Sequence, residues 1–416
     1  MRRAFAILVA LALAGCGCDA IERYQQRSEA AELVEEAWLD LELERWEEAL
    51  DKLTRARELY SRAGDDDGLA RALAGMGAAA DGMREFDKAL DWLRRARDVY
   101  LKQHDPDSPW LGTLHTRLGK VLYDMERHGE CETALTEAIR IFENAYGEQH
   151  MSLVEPLALL ATCRWTRGEI EKALAPAERA EKIVDSRPSP PPLATILTRM
   201  TVGHALVELG RLDEAEKRFD AALELAGRRL AGTHRIAANL HNEIGYVQLY
   251  RGEAKKALEH FERGLSIAEE LAGDKSALAA TLKDSAGEAT CALGDCEKAL
   301  EMHREALELM RAKRPESRGS IAWVIDNIGV AELRLGRRAD AQERFDEAAE
   351  ALERIHGASH PLLARVLRHR AETELAAGEE ERACETLHRA LRIYRRELPE
   401  GHFRIEQTRA ALGRCD

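Results

Sequence analysis

The residue whose chemistry stands out first is Cys16, in the opening stretch MRRAFAILVALALAGCGCDA. Two arginines supply a positive start, and an apolar run of eleven residues, 4–14, separates them from the cysteine. Such a run is too short to span a bilayer, which needs roughly 20 apolar residues, but it suits the hydrophobic region of an export signal. The small residues Ala14 and Gly15 let the chain enter a peptidase cleft in extended form, and the thiol of Cys16 can then accept a diacylglyceryl group.

The stretch LAGC at 13–16 resembles the lipobox of bacterial lipoproteins, and the match is complete. The resemblance implies that residues 1–15 are a lipoprotein signal peptide and that 16–29 form a lipidated N-terminus and tether. Gly17 follows the cysteine in place of aspartate, so the inner-membrane retention signal of enteric lipoproteins is absent. We expect a lipid-anchored protein of the cell envelope, with the periplasmic side of the outer membrane favoured over the inner membrane or the cell surface. The alternatives are an export signal cut elsewhere and an apolar N-terminal helix of a cytosolic protein.

The remaining cysteines permit disulfide chemistry but do not indicate a metal site. Eight cysteines minus the lipidated one leave seven, an odd number that precludes a complete disulfide framework. Cys291 and Cys296 lie where one predicted helix ends and the next begins, so an oxidising compartment would permit a bridge if their Cα atoms approach within about 7 Å. The alternative is two buried small residues. No second cysteine pair or histidine pair with zinc spacing accompanies them, so no metal is expected.

Histidines and aspartates also recur in patterns that could do chemistry. Four histidines stand at one position of the repeat described below, a whole repeat or more apart, and we expect each to hydrogen-bond the backbone at a helix start: His150, His234, His360 and His402. The run 65–68, Asp-Asp-Asp-Gly, lacks the alternating carboxylates of a calcium loop and predicts a solvated turn with a helix N-cap. No phosphate loop, nucleophile elbow or paired-carboxylate pattern is present. We therefore expect no catalytic residues, no cofactor and no enzymatic activity.

The amino-acid composition of the chain excludes some classes of binding partner. The chain has 416 residues, a net charge of −14 and only 5% aromatic residues. This acidic balance argues against nucleic acid, whose phosphates demand a basic surface. It also argues against adhesion to anionic lipid, so the membrane would be reached through the acyl chains alone. Abundant alanine, leucine, glutamate and arginine are typical of helices.

A repeated helical pattern must position all of these residues. In each repeat a small residue, here called the anchor, is followed by a bulky residue four positions later and a small residue seven positions later, a spacing that places all three on one helical face. The first interval between anchors is 40 residues and the next seven are 42: Ala49, Ala89, Cys131, Ala173, Ala215, Ala257, Ala299, Ala341 and Ala383. Glycine five residues before most anchors ends a preceding helix, and glycine or alanine twelve before allows close helix packing. Each repeat is therefore predicted to be a helical hairpin, with the turns of the first and third in doubt because Glu44 and Glu126 replace the glycine.

This frame resembles the tetratricopeptide repeat (TPR), and its period resembles the longer variant of kinesin light chains. Four stretches carry the resemblance: LGKVL at 118–122, VGHAL at 202–206, YGEQH at 146–150 and HGASHP at 356–361. The resemblance implies an all-α fold, a TPR-type α-solenoid in which helical hairpins form a right-handed superhelix. It places nine hairpins in residues 30–400 and a C-terminal capping helix in 401–416.

In this family the first helix of each hairpin lines the concave surface, at positions 18, 15, 11, 8 and 7 before the anchor. The strongest cluster at these positions is predicted to bind a partner: Asn239, Asn242, Tyr246 and Tyr250, flanked by Trp323 and Asp326. Asparagine side chains at such places can pair with the backbone of an extended peptide while the tyrosines pack its side chains. The alternative is a helix face of solvated polar residues.

The sequence thus predicts a membrane-anchored TPR lipoprotein that acts as a scaffold or assembly adaptor in the cell envelope. Its partner is expected to be a protein or an extended peptide in the concave groove. The competing interpretation is a cytosolic TPR regulatory adaptor whose lipobox is false. A third, an enzyme built on the solenoid, has no motif in its favour.

Overall fold

The computed structural model describes residues 18–229, 235–313, 315 and 317–415, so Cys16 and the predicted signal peptide lie outside the described residues. Within these ranges the chain forms nineteen α-helices and one 3₁₀ turn, Met151–Leu153, and no strand. In chain order the helices are α1 (Cys18–Glu42), α2 (Trp46–Ala63), α3 (Asp66–Gly82), α4 (Phe86–Tyr100), α5 (Pro109–Asp124), α6 (His128–Tyr146), α7 (Val154–Thr166), α8 (Ile170–Asp185), α9 (Pro192–Glu208), α10 (Leu212–Arg229), α11 (Arg235–Tyr250), α12 (Ala254–Ala272), α13 (Ala277–Ala292), α14 (Cys296–Lys313), α15 (Arg318–Arg334), α16 (Arg338–His356), α17 (Pro361–Ala377), α18 (Glu380–Glu397) and α19 (Phe403–Leu412). Among the described helices, none has both the length and the apolar character needed to cross a membrane.

The chain divides into two compact units, one ending at Leu159 and the other spanning Leu160–Asp416, here called unit 1 and unit 2, with the boundary inside α7. In unit 1, α1 packs on α2, α3 on α4 and α5 on α6. In unit 2 the same pairing joins α9 to α10, α11 to α12, α13 to α14, α15 to α16 and α17 to α18, and α19 packs on α18. The all-α solenoid of helical hairpins predicted from the sequence is confirmed.

The beginning of the chain differs from the prediction in one respect. Residues 18–29, which were expected to be part of a tether, belong to α1. The side chain of Arg27 contacts the end of α2 and the residue after it, since it lies 3.4 Å from the Ala63 carbonyl and 3.4 Å from the Asp65 carboxylate. The segment therefore packs on the first hairpin.

The turns inside the hairpins adopt one conformation regardless of the residue present. Gly210 has a φ of 74°, in the left-handed region that glycine enters without a steric penalty. In the first three hairpins this position is held by Glu44, Arg84 and Glu126, whose φ values are 57°, 62° and 59°. A left-handed residue other than glycine costs roughly 1–2 kcal/mol, so helix packing imposes the turn there. The doubt about these turns is resolved in favour of regular hairpins.

Small residues lie where the two helices of a hairpin touch, as the repeat pattern predicts. A Cβ atom built on Gly245 of α11 would lie 2.4 Å from Cε1 of Phe261 in α12, closer than real Cβ contacts. Phe261 is the bulky residue four positions after the anchor Ala257 and is completely buried. The aromatic ring thus fills the space that the glycine leaves open.

The recurring histidines begin helices, as expected. In three of them Nδ1 accepts a hydrogen bond from the backbone N–H two residues later, at 3.1–3.3 Å: His150, His360 and His402. His234 lies outside the described residues. The Asp65 carboxylate caps α3 by accepting a hydrogen bond from the Gly68 N–H at 3.0 Å. Among the residues that the structure describes, no three or more His, Cys, Asp or Glu side chains converge as a metal site would require.

Two disulfides fasten unit 2. Cys291 and Cys296 are joined, with Cα atoms 4.1 Å apart, across the turn between α13 and α14. The sequence alone allows either a bridge or two buried thiols at these positions. Cys384 and Cys415 form a second bridge, with Cα atoms 5.8 Å apart, which ties the segment after α19 to α18. No sequence pattern indicates that pair.

Candidate peptide-binding surface

Unit 2 closes on itself, so that its last helices contact its first. The Nε2 atom of His360, at the start of α17, donates a hydrogen bond to the carbonyl of Thr166 at 2.8 Å. Close by, Pro361 packs against Gly168, where an added Cβ would meet the proline ring at 2.5 Å. These residues are almost 200 positions apart in sequence. The inner face of unit 2 is defined here as the surface formed by positions 18 to 7 before each anchor, on the first helices of its hairpins. Because the last helices contact the first, these helix faces converge.

Arg404 of α19 forms another of these closing contacts. Its guanidinium binds both oxygens of the Glu208 carboxylate of α9, at 2.5 and 3.4 Å. It also lies 5.7 Å from the ring centroid of Tyr250 and 5.4 Å from that of Phe403. Burial raises the pKa of Glu208, but the positive charge of Arg404 lowers it more, and the pKa lies below its ordinary value. The pair is therefore ionised at neutral pH.

Arg365 of α17 forms a second cluster on the inner face. Its guanidinium stacks 3.5 Å from the ring centroid of Trp323. It lies 3.4 Å from the carboxylate of Asp326 and 3.3 Å from that of Glu288, and it donates a hydrogen bond to the Asn327 side-chain oxygen at 2.8 Å. Three helices, α13, α15 and α17, thus meet at one guanidinium.

Two of the predicted partner-binding residues are occupied by this cluster. Asp326 is 1% exposed and accepts a hydrogen bond from His369 at 2.9 Å. Burial raises the pKa of Asp326, but His369 and Arg365 lower it more, so its pKa lies below the ordinary range. The prediction that Asp326 contacts a partner directly is incompatible with this burial and pairing. Trp323 remains half-buried, but Arg365 covers one face of its ring.

The other four predicted residues share one face of α11 and are half-buried. The hydroxyl of Tyr246 lies 3.0 Å from that of Ser285, and its ring packs edge-on against Phe261 with centroids 5.2 Å apart. Tyr250 packs against Phe403, with centroids 5.6 Å apart. Burial raises the pKa of Tyr250 to about 12. Both tyrosines are therefore neutral and partly structural.

The asparagines are the predicted residues that keep hydrogen-bonding capacity. The Nδ2 atom of Asn242 has a single long contact, 3.5 Å, to the neighbouring Glu243. Its Oδ1 atom is buried and has no hydrogen-bond partner among the described residues. The same holds for Oε2 of Glu288 and Nη1 of Arg365 on the inner face. The inner face thus presents both acceptor and donor atoms without partners.

Sequence reasoning missed the two arginines that organise this surface. Arg365 stands 18 residues before the anchor Ala383, the same position that selected Asn239 before Ala257, so the register contained the signal. Arg404 lies outside that register, and no pattern in the sequence indicates its contact with Glu208.

Comparisons with known proteins address the fold. Among solved structures, the chain is similar to a Rap protein complexed with competence and sporulation factor, at 16% identity over 94% of this chain and 100% of that one, with a TM-score of 0.61. It is also similar to the apo form of the quorum sensor NprR from B. thuringiensis, at 15% identity over 84% and 97% of the two chains, with a TM-score of 0.61. The apo form of RapI matches at 17% identity over 69% and 98%, with a TM-score of 0.56. At such identities the likeness concerns the fold alone.

At the level of sequence, no curated protein matches the chain. The sequence profile of the tetratricopeptide repeat, in contrast, matches five stretches that together span most of the chain: residues 38–102, 110–186, 193–270, 236–312 and 320–415. The protein belongs to the tetratricopeptide repeat family.

Proposed function

We propose that this protein is an adaptor that binds a protein or an extended peptide on the inner face of unit 2. We propose further that acyl chains on Cys16 hold it in the cell envelope, with the periplasmic side of the outer membrane favoured. The competing proposal is a cytosolic regulatory adaptor with the same binding surface and no anchor. The two proposals differ only in whether Cys16 is acylated and in the compartment where the protein resides.

The observation that carries the binding proposal is the set of buried, unpartnered polar atoms on the inner face. Leaving a buried donor or acceptor without a hydrogen bond costs about 1–3 kcal/mol. Asn242, Glu288 and Arg365 each leave one such atom there. An extended peptide carries an N–H donor and a C=O acceptor on every residue other than proline, so its backbone can satisfy both kinds of atom. Tyr246, half-buried beside Asn242, supplies an aromatic surface for a peptide side chain.

The structural comparisons support the same kind of ligand. The Rap protein, whose fold resembles this one, was crystallised with the competence and sporulation factor bound. NprR is described as a quorum sensor. A solenoid of this family can therefore hold a signalling ligand, and a ligand-responsive adaptor is consistent with the architecture.

The binding proposal is tested by capture of partners from a membrane extract. The bait is residues 16–416 with Cys16→Ser, which removes none of the described residues. Asn239→Ala and Asn242→Ala together should abolish enrichment of the captured protein while leaving the melting temperature unchanged, because both side chains are half-buried and make no strong internal hydrogen bond. Asn144→Ala, at an exposed position of α6, is the matched control and should retain full capture. Equal recovery by the double variant would place the binding site elsewhere.

Acylation of Cys16 is tested separately by labelling cells with a clickable palmitate. The parent chain and a Cys18→Ser control should both be labelled, whereas Cys16→Ser should not. Equal labelling of all three, or of none, would remove the envelope proposal and favour the cytosolic adaptor.

A further inference from the structure

The C-terminal end of the chain covers part of the inner face of unit 2. Glu208 and Tyr250 both stand seven residues before their anchors, at positions of that face. Phe403 packs against the ring of Tyr250, with centroids 5.6 Å apart, and the guanidinium of Arg404 binds the carboxylate of Glu208. The side chain of Arg404 is only 9% exposed. The first turn of α19 therefore occupies surface that would otherwise be open to a ligand.

α19 is fastened at both of its ends. At its start, residues 398–402 connect it directly to α18, and beyond its end Cys415 is bonded to Cys384 of α18. The apolar packing at this second end is small, because Leu412 and Cys415 rest on a cluster of three buried side chains, two of them alanines: Ala371, Ala383 and Leu387. An alanine side chain is a single methyl group and buries little apolar area. The disulfide therefore contributes much of the attachment at the C-terminal end of α19.

This disulfide lies where a reductant can reach it. Cys384 and Cys415 are both partly exposed, and Glu385 and Arg414 beside them are exposed. A dithiol, such as the Cys-X-X-Cys site of a reduced thiol oxidoreductase, can open the bond by exchange. One thiolate of the dithiol attacks a sulfur of the bond and releases the other sulfur as a thiolate, and the second thiol of the dithiol then resolves the mixed disulfide. Two electrons and two protons pass to the protein cysteines, and the dithiol becomes a disulfide.

Reduction changes what the detachment of α19 requires. While the bond is intact, the segment over Glu208 and Tyr250 is held on both sides, so it can leave the inner face only as a closed loop. After reduction the helix is held at its start alone and can move away together with the C-terminus. The detached state then gains conformational freedom that the closed loop lacks.

We propose that the bond between Cys384 and Cys415 is a redox-controlled clamp, whose reduction lets α19 leave the inner face of unit 2 and exposes Glu208 and Tyr250 to a ligand. α19 acts as an internal competitor of that ligand. A ligand that needs this surface binds only the chains in which α19 is detached, so its apparent affinity rises as that fraction rises. This inference rests on the proposed function, since the covered surface belongs to the proposed binding face.

The test uses the Cys16→Ser chain of residues 16–416 and a fluorescein-labelled peptide with the sequence of residues 401–414, GHFRIEQTRAALGR. This peptide repeats the segment that covers the inner face, so it can bind there only when α19 has left. By fluorescence anisotropy we expect at least tenfold tighter binding to the chain reduced with dithiothreitol than to the oxidised chain, which corresponds to about 1.4 kcal/mol. A second peptide that carries Arg404→Met is the matched probe. It should bind the reduced chain about tenfold more weakly, because it cannot pair with Glu208.

Two double variants separate the clamp from other effects of the reductant. Cys384→Ser with Cys415→Ser lacks the bond in either condition and should bind the peptide as the reduced parent does, with or without dithiothreitol. Cys291→Ser with Cys296→Ser retains the clamp and should respond to dithiothreitol as the parent does. In the parent itself, hydrogen exchange of the α19 amides should accelerate roughly tenfold on reduction, while that of α9 stays unchanged.

Three results would overturn the inference. Equal binding of the peptide to the oxidised and reduced parent would show that the disulfide does not control access to the inner face. Unchanged exchange of α19 on reduction would show that the bond does not hold the helix in place. Equal binding of the two peptides to the reduced chain would mean that the peptide binds away from Glu208.

Capture from the membrane extract separates this inference from the proposed function. The Cys384→Ser, Cys415→Ser chain should capture roughly threefold more partner than the oxidised parent. If capture depends on Asn239 and Asn242 but not on the disulfide, the clamp does not regulate binding and only this inference is wrong. If capture is independent of both asparagines while the peptide responds to reduction, the proposed binding site is wrong and the clamp on α19 stands.

Discussion

Replacing Arg404 by methionine should open unit 2 at its closing contact. The change removes the positive charge but keeps an unbranched apolar side chain near Tyr250. The Glu208 carboxylate then stays on the inner face without its counter-charge. The side chains of Arg404 and Glu208 are only 9% and 17% exposed, so water replaces the lost ion pair poorly.

The size of the effect follows from this burial. Removing one partner of a buried ion pair costs about 3–5 kcal/mol, and the partial exposure of Glu208 favours the lower end. A loss of about 3 kcal/mol changes the equilibrium for detachment of α19 on the order of 100-fold. For a cooperative unit of this size, each kcal/mol lowers the melting temperature by roughly 2–4 °C. We therefore expect a decrease of about 6–12 °C in the transition of unit 2.

The dependence on pH should change sign. In the parent protein the pKa of Glu208 lies below its ordinary value, so the pair's contribution to stability is present above pH ~4.3 and is lost as the pH falls further. In Arg404→Met, burial is no longer opposed and raises the pKa of the same carboxyl. The variant should then gain stability as the pH is lowered from 7 towards 5, because the carboxyl becomes neutral in the folded state.

Hydrogen exchange resolved to α19, together with calorimetric melting at pH 7 and pH 5, measures both effects. Arg409→Met is the control, since Arg409 lies on the same helix and forms surface ion pairs with Glu406 and Glu400, each worth about 0–1 kcal/mol. Adding Glu208→Leu to Arg404→Met should restore most of the stability, because an apolar pair replaces the buried ion pair. Unchanged protection of α19 in Arg404→Met would refute the conclusion that this contact closes unit 2.

Three further predictions concern stability. Gly245→Ala should lower the melting temperature by several degrees because its Cβ would lie 2.4 Å from the ring of Phe261, whereas Gly227→Ala, whose Cβ meets nothing within 4 Å, should leave it unchanged or raise it slightly. Cys384→Ser should destabilise the C-terminal segment by about 3–4 kcal/mol, the entropy of a loop of some 31 residues, as measured by urea unfolding. Burial, aided by Arg404, lowers the pKa of His402 to about 4, so the parent should lose stability relative to His402→Asn as the pH falls from 6.5 to 4.

Each of these has a contradicting result. Equal melting of the two glycine variants would mean that the packing at Gly245 is loose. For the Cys384→Ser prediction, detection of free thiols at Cys384 and Cys415 in unreduced protein by mass spectrometry would show that there is no disulfide to remove. The third uses asparagine because it can cap a helix as His402 does without titrating, so parallel pH profiles of parent and variant would show that the imidazole is not held neutral.

The features predicted correctly from the sequence are those that repeat within one hairpin or between neighbours. The contact between Gly245 and Phe261 spans 16 residues and recurs in every repeat with a glycine at that register, so periodicity reveals it. The backbone caps made by His360 and His402 are equally local. Such interactions depend on helix geometry alone, which side-chain spacing encodes directly.

The closing contacts of unit 2 could not be obtained in this way. Thr166 and His360 are 194 residues apart, and Glu208 and Arg404 are 196 apart. Whether such residues meet depends on small rotations between hairpins that accumulate over several repeats. The spacing of residues within one repeat does not reveal how far these rotations add up. For the same reason the sequence did not reveal the partner of Asp326. Its register places Asp326 on the inner face, but it accepts a hydrogen bond from His369 of the next repeat and is a structural residue.

This difference bears on where a ligand can bind. A position on the inner face defines only which way a side chain points, and neighbouring repeats decide whether it remains available. In unit 2, Arg365 and Arg404 pair with the carboxylates of Asp326, Glu288 and Glu208. Buried atoms that remain without a partner there belong to Asn242, Glu288 and Arg365. We therefore expect the inner face of unit 2 to select for the backbone of a partner.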